Sequence, residues 1–267
     1  MSFITSLPGR GVIAVEGTDR VPFLQGLVSN DVTAVAPGRA VWAAFLTPQG
    51  KWLADFFIFD GGDRLLLDCE AGHVGMLVQK LSRYRLRMQV SVAAETGLHV
   101  HVAWGGAPDA AGISAPDPRL PGIAWRILAE EVLPATASPE DWDLHRLQAG
   151  LPDGSKDMET ERSVLLEAGF DELEGVSWTK GCYMGQELTA RTKYRGLVKR
   201  RLVPVTVEGA LPEPGTPVLR DGVEVGAMRS GRDGIGIASL RVDAMEGTLH
   251  CGDAILSPRV PDWMSLG

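Results

Sequence analysis

Lys180-Gly-Cys-Tyr-Met-Gly-Gln-Glu187, running without a break into Leu-Thr-Ala-Arg191-Thr-Lys-Tyr194-Arg-Gly196, is the most specific stretch of this chain. Cys182 stands with a glycine at 181 and another at 185, where a backbone lacking Cβ atoms can approach a ligand closely. Lys180 precedes the cysteine and Arg191 lies a helical stretch downstream. Nearby cations favour the thiolate, the reactive form of the side chain. The residue type alone leaves the opposite reading open, since a free cysteine also packs as an inert small apolar residue.

Working outward, Arg191, Lys193, Arg195, Lys199, Arg200 and Arg201 form a run with no acid among them, in a chain whose net charge is −8. The acidic remainder argues against a protein that coats nucleic acid, which needs cations to displace counterions. At 267 residues, 45% hydrophobic and 22% charged, the chain has the composition of an ordinary globular protein and a length sufficient for two or three domains. No apolar run approaches the roughly 20 residues that span a bilayer, so no membrane is expected. Residues 1–7 lack the features of a secretory signal, and a cytoplasmic location is the expectation. Three cysteines without a CxxC pair exclude a disulfide framework and a self-contained zinc site. His73, His99, His101, His145 and His250 have no metal-ligand spacing; His99 and His101 read as surface residues of one strand face. Gly231-x-x-Gly-x-Gly236 lacks the dinucleotide order and reads as a turn.

The first third alternates strands and helices. Residues 11–15, 41–47, 52–59 and 64–69 read as strands, and Asp19 is placed to cap a short helix through Val21, Phe23, Leu24, Leu27 and Val28. Residues 71–84 form a helix with Val74, Leu77, Val78 and Leu81 on one face, and 86–92 and 98–104 continue the strands. This alternation points to α+β. Residues 103–122, rich in glycine and proline, read as a long surface loop, and 139–149 as a helix stopped by Gly150 and Pro152. Asp221-Gly222 between apolar runs is a two-residue hairpin signal, and Arg232-Asp233-Gly234 marks another turn. Residues 200–267 therefore read as a small all-β domain, of which a barrel is one form.

The octapeptide at 180–187, with Arg191 and Tyr194-Arg195-Gly196, resembles the signature of the YgfZ family of folate-binding proteins, relatives of the glycine cleavage aminomethyltransferase (T-protein). Val15-Glu-Gly-Thr-Asp19, Phe23-Leu-Gln-Gly26, Ser29-Asn-Asp-Val32, Leu46-Thr-Pro-Gln-Gly50, Tyr84-Arg-Leu-Arg87 and Arg146-Leu-Gln-Ala-Gly-Leu-Pro152 fit the same family in order. The resemblance implies a GcvT-like three-module α+β fold around a folate-sized hole. Residues 1–46 with 144–196 would be the folate-binding module, 47–143 a second ferredoxin-like module, and 197–267 a β-barrel. It implies tetrahydrofolate, or another reduced folate, held by Trp142, Gln148, Gln186, Glu187 and Arg191, with Cys182 and Lys180 as the reactive candidates. A flat pterin gains by stacking on indole.

Two departures qualify the resemblance. The T-protein has a glutamate where this chain has Gln148, and an amide offers one acceptor oxygen and no charge. The T-protein's catalytic aspartate corresponds to Gly75, leaving Asp68, Glu70 or His73 as substitutes only if geometry allows. The expected role is that of the family: iron–sulfur cluster assembly or repair, affecting enzymes such as tRNA-modifying methylthiotransferases, with assembly or client proteins as partners. The alternatives are an aminomethyltransferase and an RNA-binding adaptor using residues 191–201. That basic run equally suits a solvated face, or the polyglutamate tail of a folate.

Overall fold

Positions 41–46 and 52–59 are buried without exception. A strand buried along its whole length needs cover on both faces, and the fold supplies it. The structure, a computed structural model, describes residues 2–266. It divides into a first unit, Met1–Pro48, Leu53–Pro139 and Leu173–Gln186, and a second, Gln49–Trp52, Glu140–Glu172 and Glu187–Gly267.

The first unit runs β1 (Phe3–Ser6), β2 (Arg10–Glu16), α1 (Arg20–Gln25), β3 (Val41–Leu46), β4 (Trp52–Asp60, whose first residue lies in the second unit), β5 (Arg64–Glu70), α2 (Val74–Tyr84), β6 (Ser91–Glu95), β7 (His99–Trp104), β8 (Ile113–Pro116) and β9 (Trp125–Ala129). These strands form a five-stranded sheet of order β3-β4-β5-β2-β6 and a four-stranded sheet of order β1-β7-β9-β8. Antiparallel pairing of β2 with β5 sets Ile13 opposite Leu67 and Val15 opposite Leu65. Ile13, Val15, Phe45, Phe56, Ile58 and Leu67 gather with Leu77 and Leu81 of α2 into one apolar cluster. That is the period-2 strand pattern meeting a period-3.6 helix stripe.

Alternation sends Trp42, Phe57 and Asp68 away from that cluster, and there the unit buries charge. Asp68 lies between two arginines: the Arg10 Nε donates to its Oδ1 and the Arg126 Nη1 to its Oδ2 at 3.0 Å. The Arg126 Nε also reaches Asp117 Oδ2 at 3.4 Å, and the Arg119 Nη2 donates to the same oxygen at 2.7 Å. The guanidinium carbons of Arg126, Arg119 and Arg10 stand 3.7, 5.0 and 5.6 Å from the centroid of Phe57. Buried ions persist only when paired and hydrogen-bonded, and an aromatic face adds attraction for cations. Burial alone would raise the Asp117 carboxyl, but Arg119 and Arg126 outweigh it and hold it down at about 2.

Four local readings change. The 86–92 strand begins only at Ser91, because the chain leaves α2 through Leu86 with φ +46°, outside the β region. Residues 103–122 are not all loop: β8 pairs with β9 there, and Asp117 and Arg119 are buried. Asp19 caps no helix N–H; its Oδ2 accepts from the Gln89 N–H at 2.8 Å. His101 is fully buried rather than on the surface, its Nε2 accepting from the Leu133 N–H at 3.0 Å, and burial holds its pKa below the ordinary histidine value.

The second unit holds α3 (Pro139–Ala149, whose first residue lies in the first unit), α4 (Gln186–Tyr194, likewise), and β10 (Arg200–Glu208), β11 (Pro217–Arg220), β12 (Val223–Arg232), β13 (Ile235–Arg241), β14 (Leu249–Cys251) and β15 (Ala254–Pro258). The strands close into a barrel of order β10-β13-β12-β11-β14-β15, filled by Val203, Val205, Val218, Met228, Leu240, Leu249 and Leu256. Asp221 and Gly222 take φ +53° and +77°, the two left-handed residues of a tight hairpin between β11 and β12. Among the described residues no helix is long and apolar enough to cross a membrane.

Candidate functional site

The loop around Cys182 is held by the Ser29–Asp31 corner of the first unit. The Ser29 hydroxyl donates to Gly175 O at 2.7 Å, the Asn30 Nδ2 to Glu174 O at 2.6 Å, and the Ser177 N–H to Ser29 O at 3.1 Å. Asp31 stiffens the corner by accepting from Gln25 Nε2 at 2.8 Å and from the N–H and hydroxyl of Thr33. Its carboxyl sits below the ordinary value, first through the Thr33 hydroxyl bond, with Lys180 contributing. Beyond the cysteine, the Met184 N–H donates to Gly26 O at 3.1 Å and its side chain packs on the sheet–helix core.

Lys180 closes this arrangement. Its Nζ donates to Val28 O at 2.8 Å and Asn30 O at 2.6 Å and lies 5.4 Å from the Tyr183 ring centroid. The amino group is thus bound to backbone carbonyls, which gives Lys180 the part of a clamp. Burial pulls it down to about 8, with Asp31 opposing. The unfolded chain, with its ordinary 10.5, binds that proton more strongly. The stability difference between the wild type and a Lys180→Met variant is therefore expected to move in favour of the wild type as pH rises from about 8 to 10.5, and to be flat below 8. Denaturant midpoints of both proteins across that range measure it; parallel curves would contradict the clamp's depressed pKa.

Between the two anchors the chain turns outward. Cys182 is exposed, whereas Cys69 and Cys251 are buried. Gly185 takes φ +80°, a conformation that suits glycine, and lets the chain enter α4 directly. The Gln186 Oε1 accepts from the Tyr183 N–H at 3.0 Å, so this amide serves the loop itself. Lys180, Cys182, Tyr183 and Gln186 are therefore brought together in one anchored loop of the first unit.

The other candidates lie in the second unit. Glu187 and Arg191 are exposed, four positions apart on α4. The cationic run does not form one face: Lys193 pairs with Asp171, and Arg201, 3% exposed, donates to Leu166 O at 2.7 Å and to Glu172. On α3, Gln148 is exposed while Trp142 is 5% exposed, its ring 5.7 Å from that of His145. Arg146 fixes this helix: its Nη1 donates to Asp157 Oδ2 at 2.6 Å, its Nε to Asp143 Oδ1 at 2.9 Å, and its Nη2 to Ser230 Oγ on β12 at 2.8 Å.

The possible substitutes for the carboxylate missing at Gly75 are engaged elsewhere. Asp68 is enclosed by Arg10 and Arg126, and Glu70 lies 3.8 Å from His73 Nδ1. Among the described residues no cluster of His, Cys, Asp and Glu is arranged to hold a metal. Residue reasoning missed Gln25, Ser29, Asn30 and Asp31 as the supports of the loop. Their polar Ser-Asn-Asp sequence signals a capped turn, but only tertiary structure shows what it grips.

Residues 199–266 match the C-terminal β-barrel domain of CAF17. The chain is 33% identical to the mitochondrial iron–sulfur cluster assembly factor IBA57 of Mus musculus, over 96% of this chain and 84% of that protein. The Homo sapiens protein gives the same identity and shares, and the Mycosarcoma maydis homolog is 38% identical over 76% of this chain and 57% of its own. Among solved structures, glycine cleavage system aminomethyltransferase T from Bartonella henselae matches with a TM-score of 0.74 over 98% of this chain and 85% of that one, at 15% identity. The expected aminomethyltransferase-like α+β fold with a C-terminal barrel is borne out. The expected cytoplasmic location is corrected, because these relatives are mitochondrial. Net charge and unpaired thiols describe any reducing aqueous compartment, and could not separate the two.

Proposed function

Because the chain belongs to the IBA57 family of iron–sulfur cluster assembly factors, we propose that it takes part in building or repairing iron–sulfur clusters, with the Cys182 thiol as the group that meets the cluster. The observation that carries this reading is an exposed thiol on a loop clamped at one side by Lys180 and at the other by Met184. One thiol cannot hold a cluster, but it can supply one ligand to a cluster whose other ligands come from a partner protein. In that step Cys182 releases its proton to solvent and its sulfur bonds iron, while the ligand it displaces leaves and takes up a proton. Cluster-dependent tRNA-modifying methylthiotransferases are among the enzymes that would lose activity without it. In cells that depend on this chain, Cys182→Ala is expected to abolish the activity of a 4Fe–4S enzyme while the protein accumulates normally. Unchanged enzyme activity would remove the thiol from the mechanism.

Tetrahydrofolate is the proposed ligand, supported by the YgfZ resemblance and by exposed polar side chains at Gln148, Glu187 and Arg191. These suit the hydrogen-bonding edges of a folate. Trp142, 5% exposed against His145, would form a wall and not an open stacking face. When bound, a reduced folate supplies a ring system able to carry a one-carbon unit. The chain's own part is recognition: the Gln148 amide accepts one bond where a carboxylate would accept two charge-assisted ones. Gln148→Glu is therefore expected to tighten tetrahydrofolate binding by about tenfold in calorimetric titration, roughly 1.4 kcal/mol. Absence of binding in both proteins would exclude folate.

A further inference from the structure

At one end of the barrel a cavity of about 530 Å³ is lined by Lys199, Arg200, Arg241, Val242 and Asp243. Its charge follows from strand register, because Arg200 and Arg241 stand directly opposite each other in the β10–β13 pair. Like charges facing across a strand pair repel, so each needs a counter-charge. Arg241 has Asp243, with the Nε 3.0 Å from Oδ1 and the Nη2 on Oδ2. Near Arg200 lies Glu167, whose carboxyl burial raises, with Lys51 and then Arg200 opposing. Lys199 is exposed and, among the described residues, has no ion pair. Arg220 of β11 reaches the same corner and donates to Asp243 O at 2.7 Å. The Val242 N–H donates to Lys199 O at 3.0 Å, tying the start of β10 to the turn after β13. Three cations, Lys199, Arg200 and Arg241, thus line the pocket with one carboxylate, Asp243, in a protein whose net charge is −8.

We propose that this pocket binds a small, multiply charged oxyanion, a phosphate ester or a polycarboxylate. The acidic remainder of the chain repels anions, so a local reversal of sign has effect only at short range, inside a concavity. The volume falls in the range of small-molecule sites. Arg200 offers a planar fork that matches an oxyanion edge, Arg241 adds the charge and the N–H groups that Asp243 does not take, and Lys199 adds a mobile point charge. The inference stands apart from the cluster role and does not depend on it.

Calorimetric titration of the full chain at low salt with pyrophosphate, and separately with citrate, tests it. At least one is expected to bind the wild type, and which one binds identifies the ligand's chemical source. Lys199→Gln, a change at an exposed side chain, is expected to weaken binding by about tenfold. Adding Arg241→Gln should abolish it, with thermal unfolding confirming that the barrel persists. The proposal is overturned if neither anion binds, if both variants bind as tightly as the wild type, or if tRNA binds where neither small anion does.

Discussion

Replacing Asp68 by alanine is expected to destabilise the first unit by about 3–5 kcal/mol, because it leaves buried guanidinium groups without their shared counter-ion. Asp68 is fully buried and accepts from Arg10 on one oxygen and Arg126 on the other. Removing it takes from Arg10 and Arg126, both beside the Phe57 ring, the carboxylate they share, while Asp117 still pairs with Arg119 and Arg126. Attraction to an aromatic face, about 0.5–2 kcal/mol per cation, does not offset that loss. The cause can be separated from packing. If the penalty is an uncompensated charge, a variant that also carries Arg10→Met and Arg126→Met should recover most of the stability. Urea unfolding at neutral pH measures both. A loss below about 1 kcal/mol for Asp68→Ala, or no recovery in the combined variant, would show that the pairs carry little of the fold.

Arg146→Met is expected to have a comparable effect in the second unit. The guanidinium is 2% exposed and joins Asp157, Asp143, Leu151 O and Ser230. Burial would lower its pKa, but Asp157, Asp153 and Asp143 together raise it above the ordinary arginine value. The methionine fills much of the volume yet leaves Asp157 buried, its Oδ2 still accepting from the Asp153 N–H at 2.8 Å but facing no cation there. About 3–5 kcal/mol follows from that unpaired charge. Burial raises the Asp143 carboxyl, and Arg146 and Lys156 more than reverse this, so its folded pKa lies below 3.8. Its contribution is complete at neutral pH and is lost as pH falls below that value. The variant should therefore lose stability at neutral pH and show a weaker further loss in acid than the wild type. Urea unfolding at neutral pH and at pH 3 measures both, and an equal loss in acid for variant and wild type would contradict the Asp143 pairing.

The elements legible in the residues are those specified locally. The Asp221-Gly222 hairpin, the 139–149 helix and the β-rich tail each carry their own turn or periodicity signal, and the barrel grows from them. The buried ion network was not legible. Arg10, Asp68, Asp117 and Arg126 are polar positions in or beside strands, and alternation reads such positions as solvent-facing; only the second sheet turns that face into an interior. His101 was misread for the same reason. Leu86, Met88, Val90 and Val92 repeat with period 2, yet Leu86 turns at positive φ because α2 must release the chain before β6. At the site, the motif picks out the loop that carries Lys180, Cys182, Tyr183 and Gln186, where Lys180 reads from sequence as a neighbour tuning a thiolate. Its carbonyl partners at Val28 and Asn30 lie far away in sequence, where no local pattern points.

The central claim, that Cys182 contributes a ligand to a cluster shared with a partner, is tested most directly by thiol alkylation. Cys69 is buried and pushed up to about 12 by that burial, and burial raises Cys251 as well, so a thiol-selective reagent at neutral pH reads Cys182. The rate of Cys182 modification is compared with an excess of a 2Fe–2S-loaded assembly protein and with the same protein lacking its cluster. Protection by the loaded form alone is the expected result. Equal rates with the loaded and the cluster-free forms would contradict the claim.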